Sequence, residues 1–268
     1  MSAGAGRAAD TAQDAAIASG DLIVHVDEAR NASLAYRITW VPNLTERWVV
    51  VVNAQNGRTL SCFNAAPTGK VTGSGNDEQG ISRTLTLWQQ GSLYYLCDTG
   101  KTMYQPASTP PSPATTQGAL IVSTANGGAY DGSMQGSLIA STAPSAGFPT
   151  KGVGAAFNIS KVYDYYIQKH NRNSMDNAGK TVSVIVDVGF DNACWNGQNL
   201  CFGNANKYAS ATDIVGHEYT HSVTQFTANL TRRPEGQCHY GGNEGRDHEV
   251  IRQHGLCHRH GQCHGLHR

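Results

Sequence analysis

The sequence predicts an α+β protein, and three observations predict it. Strand-length runs of β-branched and aromatic residues occupy the first half of the chain, as in Leu22–Val26, Leu34–Ile38 and Trp48–Val52. Two segments of helical period follow, on either side of the strand-like run Thr181–Val186. Apolar residues make up 39% of the chain, enough to build a core under those elements.

Charge narrows the function classes. The 268 residues carry 20 Lys and Arg against 20 Asp and Glu, and only 15% of them are charged. A nucleic-acid binder would show a basic face, and a highly charged disordered chain would show far more charge than this. Neither class fits. The longest aliphatic run, Val49–Val52, is much too short to span a bilayer, so no transmembrane helix is expected and the membrane is not a partner.

Composition divides the chain into four zones. Residues 1–20 are rich in Ala, Gly and Asp and read as a disordered lead-in. They lack the apolar stretch of a signal peptide, so either the chain is not exported by that route or its true start lies upstream of Met1. Residues 21–66 form a small antiparallel unit. Its third run is followed by the turn signal Asn53–Gly57 and by Arg58–Leu60, which reads as a hairpin. Residues 67–230 open at Pro67–Gly69 and continue through alternating stretches such as Arg83–Trp88 and Ser92–Leu96. In the first helix Ala156, Val162, Tyr163, Tyr166 and Ile167 fall near helical spacing, and Asn171–Gly179 ends it. A second helix runs from near Ser210 to about Asn229.

The fourth zone, residues 231–268, differs from the rest. It holds seven of the eleven His, three of the seven Cys and six Arg, with Val250, Ile251, Leu256 and Leu266 as its aliphatic residues. No packed element is expected there, and it reads as disordered.

Chemistry concentrates in His217-Glu-Tyr-Thr-His221. At about 100° per residue, Val215, Tyr219, Val223 and Phe226 form an apolar stripe, and His217, Glu218 and His221 share a different face. Two imidazoles four residues apart stand one turn above the other and can grip one ion. Neutral imidazole suits Zn²⁺. Glu218 lies beside the pair, placed to take a proton from a water activated by the metal. The alternative is a solvent-facing helix that carries two histidines by accident, and the flanking sequence decides between them.

Asp213 to Leu230, containing that motif, resembles the active-site helix of the thermolysin-like metallopeptidases. Asp191-Asn-Ala-Cys-Trp-Asn-Gly197 resembles the family's substrate-binding edge strand, and Phe202-Gly203 the turn after it. Val162–Tyr166 and Arg172–Ser174 are similar to the preceding helix and loop, and Val71–Gly75 to the mature N-terminal segment. Tyr36–Leu60 resembles the PepSY-type end of an inhibitory propeptide. The resemblance covers most of residues 21–230. It implies a propeptide remnant at 21–66, then the β-rich N-terminal lobe of a thermolysin-like fold with its central zinc helix at 67–230.

By resemblance, His217 and His221 are zinc ligands and Glu218 is the catalytic base of a metalloendopeptidase acting on internal peptide bonds of proteins. Asn192 and Ala193 bind the substrate backbone as an added strand. Trp195 either shapes that edge or is an ordinary core aromatic. Asp213 either helps to hold structural Ca²⁺ or acts as a favourable charge at the helix N-terminus. Protein or peptide substrates are the expected partners of a monomer.

The sequence also departs from the family. The third zinc ligand, a Glu about twenty residues after the second His, has Glu244 as its nearest counterpart, three positions late. Arg232 stands where an aromatic is common, Asp247 fails the spacing of a supporting carboxylate, and the helical C-terminal lobe with its oxyanion histidine is missing. A frameshift or retained intron near Thr231 accounts for the abrupt change. Cys238, Cys257, His258, His260, Cys263 and His264 form the competing tail metal site, although their spacing matches no closed zinc module. The expectation is thus an inactive protease as written, with an exposed apolar helix face. The alternative is a non-catalytic fragment acting as a propeptide-like inhibitor or binding module.

Seven cysteines and four glycosylation sequons, at Asn31, Asn43, Asn158 and Asn229, lean toward a secreted chain. In that setting Cys194 and Cys201, flanking the loop Trp195–Leu200, are expected to be joined by a disulfide. Cys62 and Cys97 are a weaker second pair.

Overall fold

The computed structural model describes residues 17–228. They divide into two compact units. One takes the described residues up to Gly69 together with Gln89–Leu93, and the other takes Lys70–Trp88 and the described residues from Tyr94.

The first unit is an antiparallel meander of β1 (Ile17–Val26), β2 (Ala32–Asn43), β3 (Glu46–Asn53) and β4 (Thr59–Asn64), in spatial order β1-β2-β3-β4. The turn after β3 forms for a local reason. Asn53 Oδ1 accepts the backbone N–H groups of Gln55 and Asn56, and Gly57 takes the left-handed φ of 72° that closes it. β1 begins at Ile17, so the lead-in expected over residues 1–20 gives way to strand four residues early. The cause is pairing with β2: Ser19 and Gly20 stand opposite Thr39 and Ile38, and a strand partner overrides weak local propensity.

The register also sorts the side chains. Leu22, Tyr36 and Val52 form one cross-strand row, and Gly20, Ile38, Val50 and Cys62 form another on the same face. Ala35 and Val51 point to the opposite face and are buried.

The second unit opens with most of β5 (Thr68–Asn76), β6 (Ser82–Gln90) and β7 (Leu93–Tyr95), whose ends at Thr68–Gly69, Gln89–Gln90 and Leu93 fall in the first unit, and with β8 (Cys97–Asp98). These are followed by β9 (Leu120–Thr124), β10 (Ser137–Leu138) and β11 (Ala140–Ser141). Helix α1 (Thr150–His170) leads to β12 (Val182–Val188), β13 (Ala193–Trp195) and β14 (Asn199–Gly203). A short 3-10 turn, Tyr208–Ser210, then enters helix α2 (Thr212–Ala228). One sheet has the order β11-β7-β6-β5 and the other β10-β9-β12-β14-β13, with β8 also paired to β9.

β12 runs parallel to both β9 and β14. Val182, Val184, Ile185, Val186 and Val188 are all buried, the near-continuous apolar run of a strand covered on both faces. α1 ends because Asn171 adopts the left-handed conformation at φ 49° and donates its backbone N–H to the Tyr166 carbonyl.

Both helices contribute to one apolar core. Ile159, Val162, Tyr163 and Tyr166 of α1 meet Val215, Tyr219 and Val223 of α2 in the cluster that also holds Trp195 and Phe202. This corrects the expectation of an exposed helix face. Val215 and Tyr219 are fully buried and only Phe226, at 39%, stays open to solvent. The stripe finds its partner in α1 and β13, within the same unit.

Candidate active site

Three tethers fix α2. At its start Thr212 Oγ1 donates to Asn158 Oδ1 at 2.7 Å, while Asn158 Nδ2 donates to the Ala209 carbonyl at 3.0 Å. Asn158 is therefore buried at 2% exposure and fully engaged, so its sequon is closed to glycosylation. At mid-helix the Tyr166 and Thr220 hydroxyls lie 2.8 Å apart, and Thr220 Oγ1 donates to the Gly216 carbonyl at 2.7 Å. The Tyr166 and Tyr219 rings pack at 5.0 Å, and burial pushes both phenols above their ordinary range, so they stay neutral. Toward the helix end, Trp195 Nε1 donates to Gln225 Oε1 at 2.6 Å, and the Trp195 and Phe226 rings meet edge to face at 6.5 Å.

Held in this way, α2 brings His217 and His221 together. Their Nε2 atoms are 3.0 Å apart, with the rings perpendicular at 4.6 Å between centroids. Two nitrogens, each able to approach one ion at about 2.0–2.1 Å, require a separation of this size. The donor set therefore fits a metal. Both histidines are half-buried, and Glu218, between them in sequence, is 6% exposed. Asp213 stands exposed in the first turn, where a negative charge favours the helix N-terminus. Among the described residues no group of three or more His, Cys, Asp or Glu gathers to hold a metal ion. Glu244, Arg232, Asp247, the tail cysteines and histidines and the Asn229 sequon lie outside the described residues.

β13 closes its sheet order, so among the described residues one of its edges carries no strand. The ladder shows which main-chain groups face that edge. Gly203 N–H bonds to the Asn192 carbonyl at 2.8 Å and Asn196 N–H to the Asn199 carbonyl at 3.1 Å. Hydrogen-bonded pairs alternate along an antiparallel ladder, so Ala193 and Trp195 turn their main-chain groups away from β14. The Ala193 N–H is taken by Asn192 Oδ1 at 2.9 Å, which leaves its carbonyl facing outward. The Trp195 side chain is buried in the core, and through Gln225 it fixes the edge strand against the helix that carries the histidines.

Cys194 and Cys201 are directly opposed across β13 and β14, both are fully buried, and the structure carries both as thiols. Two roles were missed in the sequence. Gln225 follows His221 by four, on the same helical face, a spacing that could have pointed to it. Asp191, marked in the sequence only as the first residue of the edge-strand segment, accepts from the Tyr208 hydroxyl and from Asn206 Nδ2 and braces the loop behind the edge strand.

A helix whose paired imidazoles could take an ion, beside an open strand edge, is equipment suited to a metallopeptidase. Residues 72–225 match the thermolysin metallopeptidase family in its catalytic domain, and the chain belongs to that family. Bacillolysin from Bacillus amyloliquefaciens is 32% identical over 210 residues, covering 74% of this chain and 37% of that protein. Bacillolysin from Brevibacillus brevis is 30% identical over 224 residues, covering 80% and 38%. Among solved structures, the precursor of protealysin, a metalloproteinase from Serratia proteamaculans, is 25% identical with a TM-score of 0.38, covering 47% of this chain and 39% of that one. The chain thus spans less than two-fifths of the length of either bacillolysin. Among the described residues no helix is long and apolar enough to cross a membrane.

Proposed function

We propose that the chain is the zinc-helix portion of a secreted endopeptidase that hydrolyses internal peptide bonds of proteins. The observation that carries this reading is the 3.0 Å approach of the His217 and His221 Nε2 atoms on one helix. In this reading residues 21–66 are a propeptide remnant and 67–230 belong to the catalytic domain. His217 and His221 hold Zn²⁺ through Nε2, with Glu244 as the candidate third ligand. Zinc, when bound, supplies a Lewis acid and makes water a nucleophile near neutral pH. Glu218 acts as general base and takes the proton of the attacking water. The outward Ala193 carbonyl and the Asn192 amide bind the substrate backbone as an added strand. Asp213 contributes a carboxylate to a structural Ca²⁺. Exposed Asn31 and Asn43 remain open as glycosylation sites in an exported chain.

Zinc stoichiometry measured with casein hydrolysis tests this reading. Zinc should bind the chain, weakly for want of a third ligand among the described residues, and His221→Ala should abolish binding. The chain as written should not hydrolyse casein, for want of a placed third ligand; hydrolysis that disappears in Glu218→Gln while zinc is retained would overturn that expectation. Zinc binding that survives His217→Ala and His221→Ala together would sink the assignment.

A further inference from the structure

Three asparagines in the sequence are followed by glycine: Asn56, Asn126 and Asn196. In an unfolded chain the three pairs are alike, because glycine has no Cβ to keep its amide nitrogen off the preceding side-chain carbonyl. The fold separates them. Gly57 donates its N–H to the Asn53 carbonyl at 2.9 Å, and Gly127 donates to the Asp187 carbonyl at 2.8 Å. A nitrogen engaged in this way must give up its acceptor before it can turn and attack. Gly197 has no such tie, since among the described residues its N–H meets no acceptor. A Cβ built on Gly197 would find nothing within 4 Å, so the main chain has room to move there. Gly197 is half-buried and Gln198 exposed, which brings water to the site.

The side-chain carbonyl differs as well. Asn196 Oδ1 accepts the backbone N–H of Gln198 at 2.9 Å and that of Asn199 at 2.7 Å. Asn56 Oδ1 accepts one amide, from Arg58 at 3.0 Å, and Asn126 Oδ1 has the Thr124 hydroxyl at 3.4 Å. Two donors on one carbonyl oxygen stabilise the negative charge that develops there when a nucleophile adds to its carbon, as in an oxyanion hole. The leaving group is held loosely, with Asn196 Nδ2 donating to the Gly132 carbonyl at 3.3 Å.

We propose that Asn196 is a self-modification site, at which the chain converts its own asparagine to isoaspartate with water as the sole co-reactant. The Gly197 nitrogen gives its proton to water and bonds to Asn196 Cγ. The Cγ–Nδ2 bond breaks, Nδ2 takes up a proton and leaves as ammonia, and a cyclic imide remains. Water opens the imide at either carbonyl, giving aspartate or isoaspartate. In isoaspartate the main chain runs through the former side chain. That removes the acceptor capping the turn between β13 and β14 and lengthens the turn by one atom. Trp195, the last residue of β13, is the next residue back, so the change displaces the edge strand. None of this depends on the peptidase reading.

Peptide mapping of the full chain, aged in mildly alkaline buffer, tests it. The peptide carrying Asn196 should gain its aspartate and isoaspartate forms about tenfold faster than those carrying Asn56 or Asn126. That factor is the about 1.4 kcal/mol of the one hydrogen bond that Gly57 or Gly127 must first break. In urea concentrated enough to unfold the chain the three rates should converge, because the selection belongs to the fold. The isoaspartate form, separated and kept reduced, should expose Cys194 and Cys201, buried in the parent, to faster labelling by maleimide. Asn196 converting no faster than either other site in the folded chain overturns the proposal. So does a lead for Asn196 that persists unchanged in urea. Cysteines that label no faster in the isoaspartate form overturn the displacement of the edge strand.

Discussion

Gly154 and Gly152 lie two residues apart in α1, yet an added methyl group should affect them very differently. A Cβ built on Gly154 would meet Ser210 at Oγ 2.2 Å, Cβ 3.0 Å and Cα 3.1 Å. The hydroxyl could rotate away, but the Ser210 backbone cannot, and it forms the turn that starts α2. Rotation would also break the bond from Ser210 Oγ to Glu78 Oε2, 2.9 Å long. Alanine gains about 1 kcal/mol of helix propensity over glycine. Against this stand about 1–3 kcal/mol of overpacking and about 1.5–3 kcal/mol for a hydrogen bond to a carboxylate. Gly154→Ala should therefore lose about 1.5–5 kcal/mol, or roughly 3–20 °C in Tm for a domain of this size. At Gly152 the new Cβ meets the Ile139 and Leu96 Cδ1 atoms, both at 2.9 Å, which are flexible side-chain ends that can move. Gly152→Ala should fall within about 0.5 kcal/mol of the parent, the propensity gain offsetting the crowding. Urea unfolding with an unchanged m-value is the assay. If Gly154→Ala unfolds at the same urea concentration as Gly152→Ala or above it, the close approach of α1 to the start of α2 is wrong.

Three further outcomes are expected. Cys194 and Cys201, opposed in register at the 4.5–5.5 Å Cα spacing typical of antiparallel partners, should become joined on oxidation, and closing that short loop should stabilise the chain by about 2–3 kcal/mol. Non-reducing peptide maps that return both as alkylated thiols would refute this. Cys97, whose thiol is pushed up to about 12 by burial and by the nearby Asp98 charge, should resist the alkylating agent that labels exposed Cys62. Burial raises the Asp77 carboxyl, but the N–H groups of Ile81 and Gln79 and the Arg83 guanidinium outweigh it and hold it below its ordinary 3.8. A depressed carboxyl gives its full stabilisation above the unfolded value, and that stabilisation is lost as pH falls through the folded one. The deficit of Asp77→Asn, about 1.5–3 kcal/mol for the lost charged bond to Arg83, should thus be full at pH 6 and shrink below about pH 4, as read by urea titrations. A deficit that grows on acidification would reverse the sign of this linkage.

What was legible in the sequence was local. β-branched runs gave the strands of the first unit, because a strand with one buried face writes its period into five or six adjacent residues. His217 and His221 were legible because helix geometry alone brings positions four apart together. Long-range packing was not. The stripe Val215, Tyr219 and Val223 showed that α2 needs a partner, but nothing in its own residues named α1, whose Tyr166 is separated from Tyr219 by 53 positions. The Asn158 sequon failed for the same reason: a three-residue pattern cannot show that its amide spans from α1 to the Ala209 carbonyl and the Thr212 hydroxyl.

Gln225 marks the boundary between the two kinds of information. It stands eight residues after His217 and four after His221, so the spacing that aligns the imidazoles also aligns this amide with them. Its position on the face was readable, but its use was not, because that depends on Trp195, 30 residues earlier on a different element. The Trp195–Gln225 bond joins the two halves of the site, the edge strand suited to a peptide backbone and the helix suited to a metal. Trp195 therefore need not be either a core aromatic or part of the substrate edge. Its buried ring makes it the first, and its indole N–H makes that burial set where the edge lies relative to His221.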